Sequence, residues 1–365
     1  MMQAVFNVLP DGHGCKRDVF HDQKKKSSFP VSFQYVNLVR LAGLACVSLV
    51  MSGMASAQSL CVFDPLGTQG DNYSLMKDYA LVAKQWGANI TLKPYTDELA
   101  ASEDFKAGHC DSAYLTGIRT RQFNNFTGTI DSAGGVDSDA TARVVIRLMG
   151  NPKLAADMVT PGYEVVGVTA LGSAYAIVGD RANNSLIRIM GKRFGVLDYD
   201  KAQDLIVQKV GAIPVVVGLE TVGQKFNSGQ VDAIELPLVA FKPLELNKGI
   251  GNKGGIIRYA VAYVTGDVVI HPAKFPDGYG QKSRTWVADQ VERQMSNVAR
   301  VEKSIDPKYW IEIPESDRMG YIKLMREARI SLTRSGVYNQ KMTGLLKKIR
   351  CQLQPGNFEC TLKDE

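Results

Sequence analysis

Between Gly191 and Pro237 the spacing of apolar positions changes from one element to the next. Phe194, Val196 and Leu197 form a short apolar run that predicts a strand, and Asp198 then stands where the first free N–H groups of a helix need an acceptor. Ala202, Leu205, Ile206 and Val210 recur at the spacing of one buried helical face, and Gly211 supplies the stop. Ile213 to Val217 is almost entirely β-branched, as a strand covered on both faces requires. A second short helix carries Val222 and Phe226 on one face and ends at Gly229, and Val231 to Leu236 is the third strand. Crossovers of this length join parallel strands with a right-handed sense. Units of this kind bind ligands where strand carboxyl ends meet helix amino ends, because free N–H groups and the helix dipole point there.

The same alternation appears nearer the amino terminus. Ser59 to Phe63 predicts a strand, Asp64 to Asp71 a turn-rich loop, and Asn72 to Trp86 a helix with Leu75, Tyr79, Val82 and Trp86 on one face. Asn89 to Leu92, Asp97 to Ala107 and Cys110 to Leu115 then predict strand, helix and strand. Thr116 to Phe123 is a polar loop at the carboxyl end of that third strand. Ala140 to Met149 is a helix, and Val165 to Val178, interrupted by glycines, predicts two strands. Past the second unit, Phe241 to Gly255 is a loop, while Ile256 to Val264 and Asp267 to Ile270 predict two further strands. Trp286 to Val301, Asp317 to Arg334 and Asn339 to Arg350 predict helices, with Gly336 between the last two.

The 191–237 segment resembles the receptors of tripartite (TRAP) transporters, a family of bacterial extracytoplasmic solute-binding proteins. Gly191-Lys192, Gly211-Ala212 with Pro214-Val215, Glu220-Thr221-Val222, Ser228-Gly229-Gln230-Val231-Asp232 and Glu235-Leu236-Pro237 stand at the places of that family's motifs. Two departures concern the ligand. The family arginine that pairs with a substrate carboxylate falls on Gly195, with Arg193 two positions early, and the residue between Glu and Pro is Leu236 in place of Asn. Across most of the chain beyond residue 58 the sequence is also similar to a group of proteobacterial solute-binding proteins. Residues 117–129 (GIRTRQFNNFTGT) and 345–351 (LLKKIRC) carry this likeness. Some of that group are connected by name with resistance-nodulation-division efflux and aminoglycoside resistance.

The resemblance implies an α/β, two-lobed periplasmic binding protein of type II-like architecture. Each lobe would be a doubly wound, mainly parallel sheet flanked by helices, with hinge strands between the lobes and long C-terminal helices. Residues 58–170 would open lobe 1, 171–261 form lobe 2, and 262–365 return across and complete both. The implied partners are a small-molecule solute and membrane transporter components, the expected state is a monomer, and no cofactor is implied.

Composition narrows the compartment more than the function. A chain of 365 residues has room for about two domains, and 45% hydrophobic with 22% charged residues is ordinary for a globular fold. The net charge of +6 is spread along the chain, with none of the concentrated basic surface that nucleic-acid binding needs. Lys24 to Lys26 and Arg40 precede an apolar run from Leu41 to Met51, and Ala55-Ser56-Ala57 follows. That is the three-part pattern of an export signal, with cleavage after Ala57. Residues 1–30 exceed what such a signal needs, and translation beginning near Val31 or Val36 would account for them. Cleavage would remove Cys15 and Cys46 and leave Cys61, Cys110, Cys351 and Cys360, an even number suited to disulfides in an exported chain. Of the three connectivities, neighbouring first and third strands favour Cys61–Cys110, and the short Gln-Pro-Gly-Asn turn favours Cys351–Cys360.

Candidates for chemistry are few. Beyond residue 57 the histidines are His109 and His271, and the chain has no H-E-x-x-H, G-x-S-x-G or G-x-x-x-x-G-K-S/T motif. Ligand capture by lobe closure needs only donors, acceptors and a hinge. The candidate contacts are Thr68 and Gln69 from the first loop, Tyr114 and Thr116 on the third strand, and Arg119 and Arg121 beyond it. The second unit adds Arg193, Asp198, Glu220 and Glu235. Each has a structural alternative: Glu220 as a favourable charge at a helix start, Glu235 as an ion-pair partner between lobes. An accessory drug-binding protein linked to efflux and a periplasmic hydrolase are the competing functions.

Overall fold

The computed structural model describes residues 57–365, so all but the last residue of the export signal expected in residues 1–57 lies outside the described residues. Among the described residues ten strands follow one another: β1 (Gln58–Phe63), β2 (Ile90–Tyr95), β3 (Ser112–Thr116), β4 (Val159–Thr160), β5 (Tyr163–Val178), β6 (Arg193–Leu197), β7 (Ile213–Val217), β8 (Ala233–Pro237), β9 (Gly255–Ile270) and β10 (Trp310–Ile311). They hydrogen-bond in the order β2-β1-β3-β9-β5-β8-β6-β7, with β4 added to β5 and β10 to β9. In lobe 1, β1 lies parallel between β2 and β3. In lobe 2, β6 lies parallel between β7 and β8. Each trio is the doubly wound unit its apolar pattern predicts.

β5 and β9 belong to both lobes. They run antiparallel to each other over nearly their whole 16-residue lengths. The carboxyl half of β9 pairs with β3 in lobe 1, and the carboxyl half of β5 pairs with β8 in lobe 2. In β5 the glycines that predict two strands instead stand at bulges inside one, whereas in β9 Gly266, between the two expected strands, keeps regular pairing with Thr169 and Thr116. Between β5 and β9 the register shifts at four points, one of them between Ala170 and Gly172. A bulge absorbs an extra residue by bending the strand while the ladder resumes on either side. Gly172 has φ +111° there, and a β-carbon on it would stand 3.1 Å from Val298 Cγ1. The expected boundaries at 170/171 and 261/262 therefore fall inside continuous strands.

The apolar core is divided in the same way. Clusters including Phe105, Leu115, Val145 and Val269, and Leu60, Met76, Tyr79 and Val268, fill lobe 1. Clusters including Ile177, Val217, Phe226 and Ile234, and Val178, Phe194, Val196 and Ile311, fill lobe 2. Where the crossing strands pass between lobes, only Leu171, Ala174, Ala262 and Val264 form a buried cluster, with Ile118, Val239 and Val261 against it. A thin waist between two thick cores is where bending disturbs the least packing.

The helix expected from Trp286 to Val301 is two helices, Tyr279–Asp289 and Val291–Lys303, broken at Gln290. Gln294 bridges the break: its Nε2 donates to the Val287 carbonyl at 3.3 Å, and its Oε1 accepts from the Ala170 N–H at 2.9 Å. One side chain thus ties the break between the two helices to a strand bulge. Long helices Glu315–Arg334 and Gln340–Leu353 close the chain. Disulfides join Cys61 to Cys110, Cα atoms 5.9 Å apart, and Cys351 to Cys360, 5.6 Å apart. Among the described residues no helix is long and apolar enough to cross a membrane.

Candidate functional site

The carboxyl ends of both sets of parallel strands face one cavity of about 340 Å³. Phe63 and Thr116, at the ends of β1 and β3, line it from lobe 1 together with Pro65, Asn72 and Glu98. Leu197, at the end of β6, and Glu235, Leu236 and Pro237 on β8 line it from lobe 2, joined by Tyr199, Leu219 and Glu220. Leu171, Ala174 and Val264 of the crossing strands complete the wall. A cavity of this size, mostly apolar with a few convergent polar groups, is what a small ligand requires.

Direct contacts cross between the lobes beside the cavity. Tyr199 of lobe 2 donates its hydroxyl to Glu98 Oε2 of lobe 1 at 3.0 Å. The Arg119 guanidinium of lobe 1 stacks on the Tyr199 ring, its carbon 3.4 Å from the ring centre, with Nε 3.6 Å from Glu98. Arg121 of lobe 1 donates from Nη1 to Asp200 of lobe 2 at 3.1 Å, and from Nε to the Gly128 carbonyl at 3.0 Å. Ile118 and Tyr199 line both the cavity and a more open vestibule of about 500 Å³ that also reaches Arg119, Arg121 and Lys106. The Arg119–Tyr199 stack therefore stands between the two spaces. On the other side, Gln203 and Glu235 separate the cavity from a smaller chamber of about 80 Å³.

Glu235 is the carboxyl in the wall that is pushed furthest towards neutral solution. Burial, then the charge of Asp200, pushes its carboxyl up to about 7 against a weak pull from Gln203. Gln203 Nε2 donates to Oε2 at 3.4 Å. Two further carboxylates, Asp131 and Asp267, are buried nearer the strand crossing, both raised by burial, Asp267 to about 7. Thr265 donates its hydroxyl to Asp131 at 2.7 Å and its N–H to the same carboxylate.

The structure brings Thr116, Glu220 and Glu235 to the cavity, and Arg119 and Arg121 to its vestibule. Five other candidates lie elsewhere. Arg193 begins β6, at the end away from the cavity; four residues of strand put it roughly 13 Å from Leu197. It pairs there with Asp232, Nη2 to Oδ1 at 2.6 Å. Asp198 is exposed, and the helix cap is Asp200, which accepts from the Ala202 and Gln203 N–H groups. Strand β6 ends at Leu197 and a turn through Asp198 and Tyr199 precedes the helix, so the acceptor is needed two residues later. Thr68 and Gln69 are exposed on a helical turn, because Asp64 accepts from Leu66 and Tyr73 N–H groups and folds the loop so that Pro65 and Asn72 face the cavity instead. Tyr114 is buried, its hydroxyl 2.8 Å from Thr169 Oγ1. Gly195 lies inside β6, where a β-carbon would stand 3.1 Å from Ile234 Cγ2, so the family arginine's place is tightly closed. Neither His109 nor His271 lines the cavity.

Glu98, Tyr199, Asp200 and Gln203 are the site residues that sequence reasoning missed. Glu98 follows the cap residue Asp97, where an acidic residue is ordinary for helix-dipole reasons, so its inward turn leaves no mark in the sequence.

Two βα lobes joined by crossing strands, with a lined crevice at the carboxyl ends of both, define a solute-binding protein. The chain belongs to the AdeT 1/2 solute-binding protein family, whose sequence model matches residues 80–365. It is 47% identical over 304 residues to the probable solute-binding protein AdeT1 of Acinetobacter baumannii, covering 83% of this chain and 100% of that one. It is 26% identical over 235 residues to AdeT2 of the same organism, covering 64% and 99%. Among solved structures, a TRAP periplasmic solute-binding protein from Desulfovibrio salexigens with bound orotic acid superposes with a TM-score of 0.65 at 15% identity, over 81% of this chain and 99% of that one. A Haemophilus influenzae counterpart with bound L-gulonate gives 0.64 at 12% identity, over 80% and 99%. These likenesses establish the two-lobed α/β fold.

Proposed function

We propose that this protein acts in the periplasm as a monomer, capturing one small solute between its lobes and delivering it unchanged to the components of a membrane transporter. The observation that carries this reading is the cavity that both lobes line, with cross-lobe contacts beside it. A solute held by Thr116 and Glu98 from one lobe and by Tyr199, Glu220 and Glu235 from the other touches both only when they are closed, and so favours the closed form. Arg119 and Arg121 serve as a latch and as the cavity's outer boundary. The segment that ends at Ala57 acts as the export signal, and cleavage after Ala57 leaves Gln58, the first residue of β1, at the new terminus.

The test is mass spectrometry of small molecules released when the purified protein is denatured, run beside Val239→Trp, whose ring would occupy the cavity that Val239 lines. Wild-type protein is expected to release one small molecule in stoichiometric amount and the variant none. Equal release from both would overturn the reading. Amino-terminal sequencing of the exported protein checks the cleavage point.

A further inference from the structure

We propose that the solute is a small organic cation, an ammonium group on an apolar body, seated with its charge against Glu235. This rests on the interlobe cavity being the binding site.

The charged residues lining that cavity are Asp97, Glu98, Glu220 and Glu235, and no Lys, Arg or His lines it. Two of the four already have partners. Asp97 caps the Glu98–Lys106 helix, accepting from Leu99 at 2.8 Å and Ala100 at 3.2 Å. Glu98 accepts from the Thr116 N–H and the Tyr199 hydroxyl and lies 3.6 Å from Arg119. Arg121, the other nearby cation, is matched by Asp200. Among the described residues neither Glu220 nor Glu235 forms an ion pair. Glu220 is exposed at the rim. Glu235 is half-buried, with a single weak hydrogen bond from Gln203 to Oε2 and, among the described residues, none to Oε1.

A carboxylate in an apolar wall is costly unless something of opposite charge meets it. Among the described residues no such group lines the cavity. The charges facing Glu235 are Asp200, itself tied to Arg121, with Asp131 in the chamber behind and Glu220 and Glu98 along the wall, and the Tyr338 hydroxyl adds no cation. A bound ammonium would complete the arrangement. An anionic solute would meet a lining with no positive charge among the described residues. Phe63, Leu171, Leu219, Leu236 and Val264 offer the apolar surface for the solute's body.

The ionised form of Glu235 binds the cation, and with a carboxyl titrating at about 7 the affinity should rise about tenfold from pH 6 to pH 8 and level off above. Isothermal titration with benzyltrimethylammonium, phenethylammonium, 2-phenylethanol and phenylacetate tests the charge directly. The ammonium compounds are expected to bind at least tenfold more tightly than the alcohol, and phenylacetate least. Glu235→Gln should lower ammonium affinity at least tenfold, Glu235→Asp should keep most of it, and Glu220→Gln should lower it two- to threefold. Unchanged ammonium affinity in Glu235→Gln, or no binding by any of the four at millimolar concentration, overturns the proposal. Phenylacetate binding more tightly than the ammoniums, and lost in Val239→Trp, overturns the charge assignment while leaving the cleft as the site. Ammonium binding that survives Val239→Trp overturns both.

Discussion

Two groups of buried charge in this protein are built in opposite ways. Beside the Cys351–Cys360 loop, Arg329 meets Glu359 at 3.0 Å and Glu365 at 2.7 Å, and Arg350 meets Glu359 at 2.7 Å. Their remaining donors reach the Ala133 and Gly135 carbonyls, so two long helices and the tail are tied to lobe 1 through satisfied groups. Burial alone would raise the Glu359 carboxyl, but Arg329 and Arg350 outweigh it and hold it below its ordinary value. In the cleft the same burial acts on Glu235 with no arginine to oppose it, and the carboxyl rises to about 7. Charge that is matched within the chain fixes structure. Charge left unmatched in a cavity stores free energy that a ligand can release.

The largest effect should come from breaking the matched group. Arg329→Ala leaves the buried Glu359 and Glu365 carboxylates to share Arg350 alone and should cost about 3–5 kcal/mol, read as a fall in thermal and denaturant midpoints. Next is the pH profile without ligand. Glu235 and Asp267 are raised, so the folded state keeps protons that the unfolded chain has released, and their contribution declines as pH rises from about 4 through 7. Glu359 is lowered, so its contribution is present above the usual carboxylate range and is lost as pH falls. Stability should therefore peak in mildly acid solution. Glu235→Gln should gain about 3 kcal/mol at pH 8 and nothing at pH 4. A profile that falls equally at pH 8 in wild type and variant would remove Glu235 from the account.

A smaller effect concerns closure. Arg121→Ala removes one cross-lobe ion pair and should weaken ligand binding by several fold, with a larger radius of gyration in small-angle scattering of the unliganded protein. An unchanged scattering profile would show that Arg119 and Tyr199 hold the lobes by themselves. Smallest of all, Asp198→Ala should shift stability by less than about 0.5 kcal/mol and leave affinity alone, because Asp198 is exposed and caps nothing.

The alternation of helical and strand spacing was enough to place both doubly wound units, since burial of one face per element leaves a periodic trace in the chain. It also placed Thr116, Glu220 and Glu235 near strand ends, where such units bind. It misplaced Arg193 by choosing the wrong end of β6, and Asp198 by reading the cap two residues early, because the length of a turn is not periodic. β5 was cut in two because a glycine at a bulge and a glycine at a turn look alike on paper, and β9 was cut at Thr265-Gly266, which is regular strand in the structure.

Local pattern thus determined which segments are strands and helices and that two α/β units exist, because each segment's own side chains record the face it buries. Only the tertiary structure decided that β5 and β9 run through both lobes, that Glu98 meets Tyr199 across the gap, and that Glu235 has no cation facing it. Those facts depend on which groups from distant parts of the chain arrive at one place, and a neighbour's absence leaves no mark in the sequence.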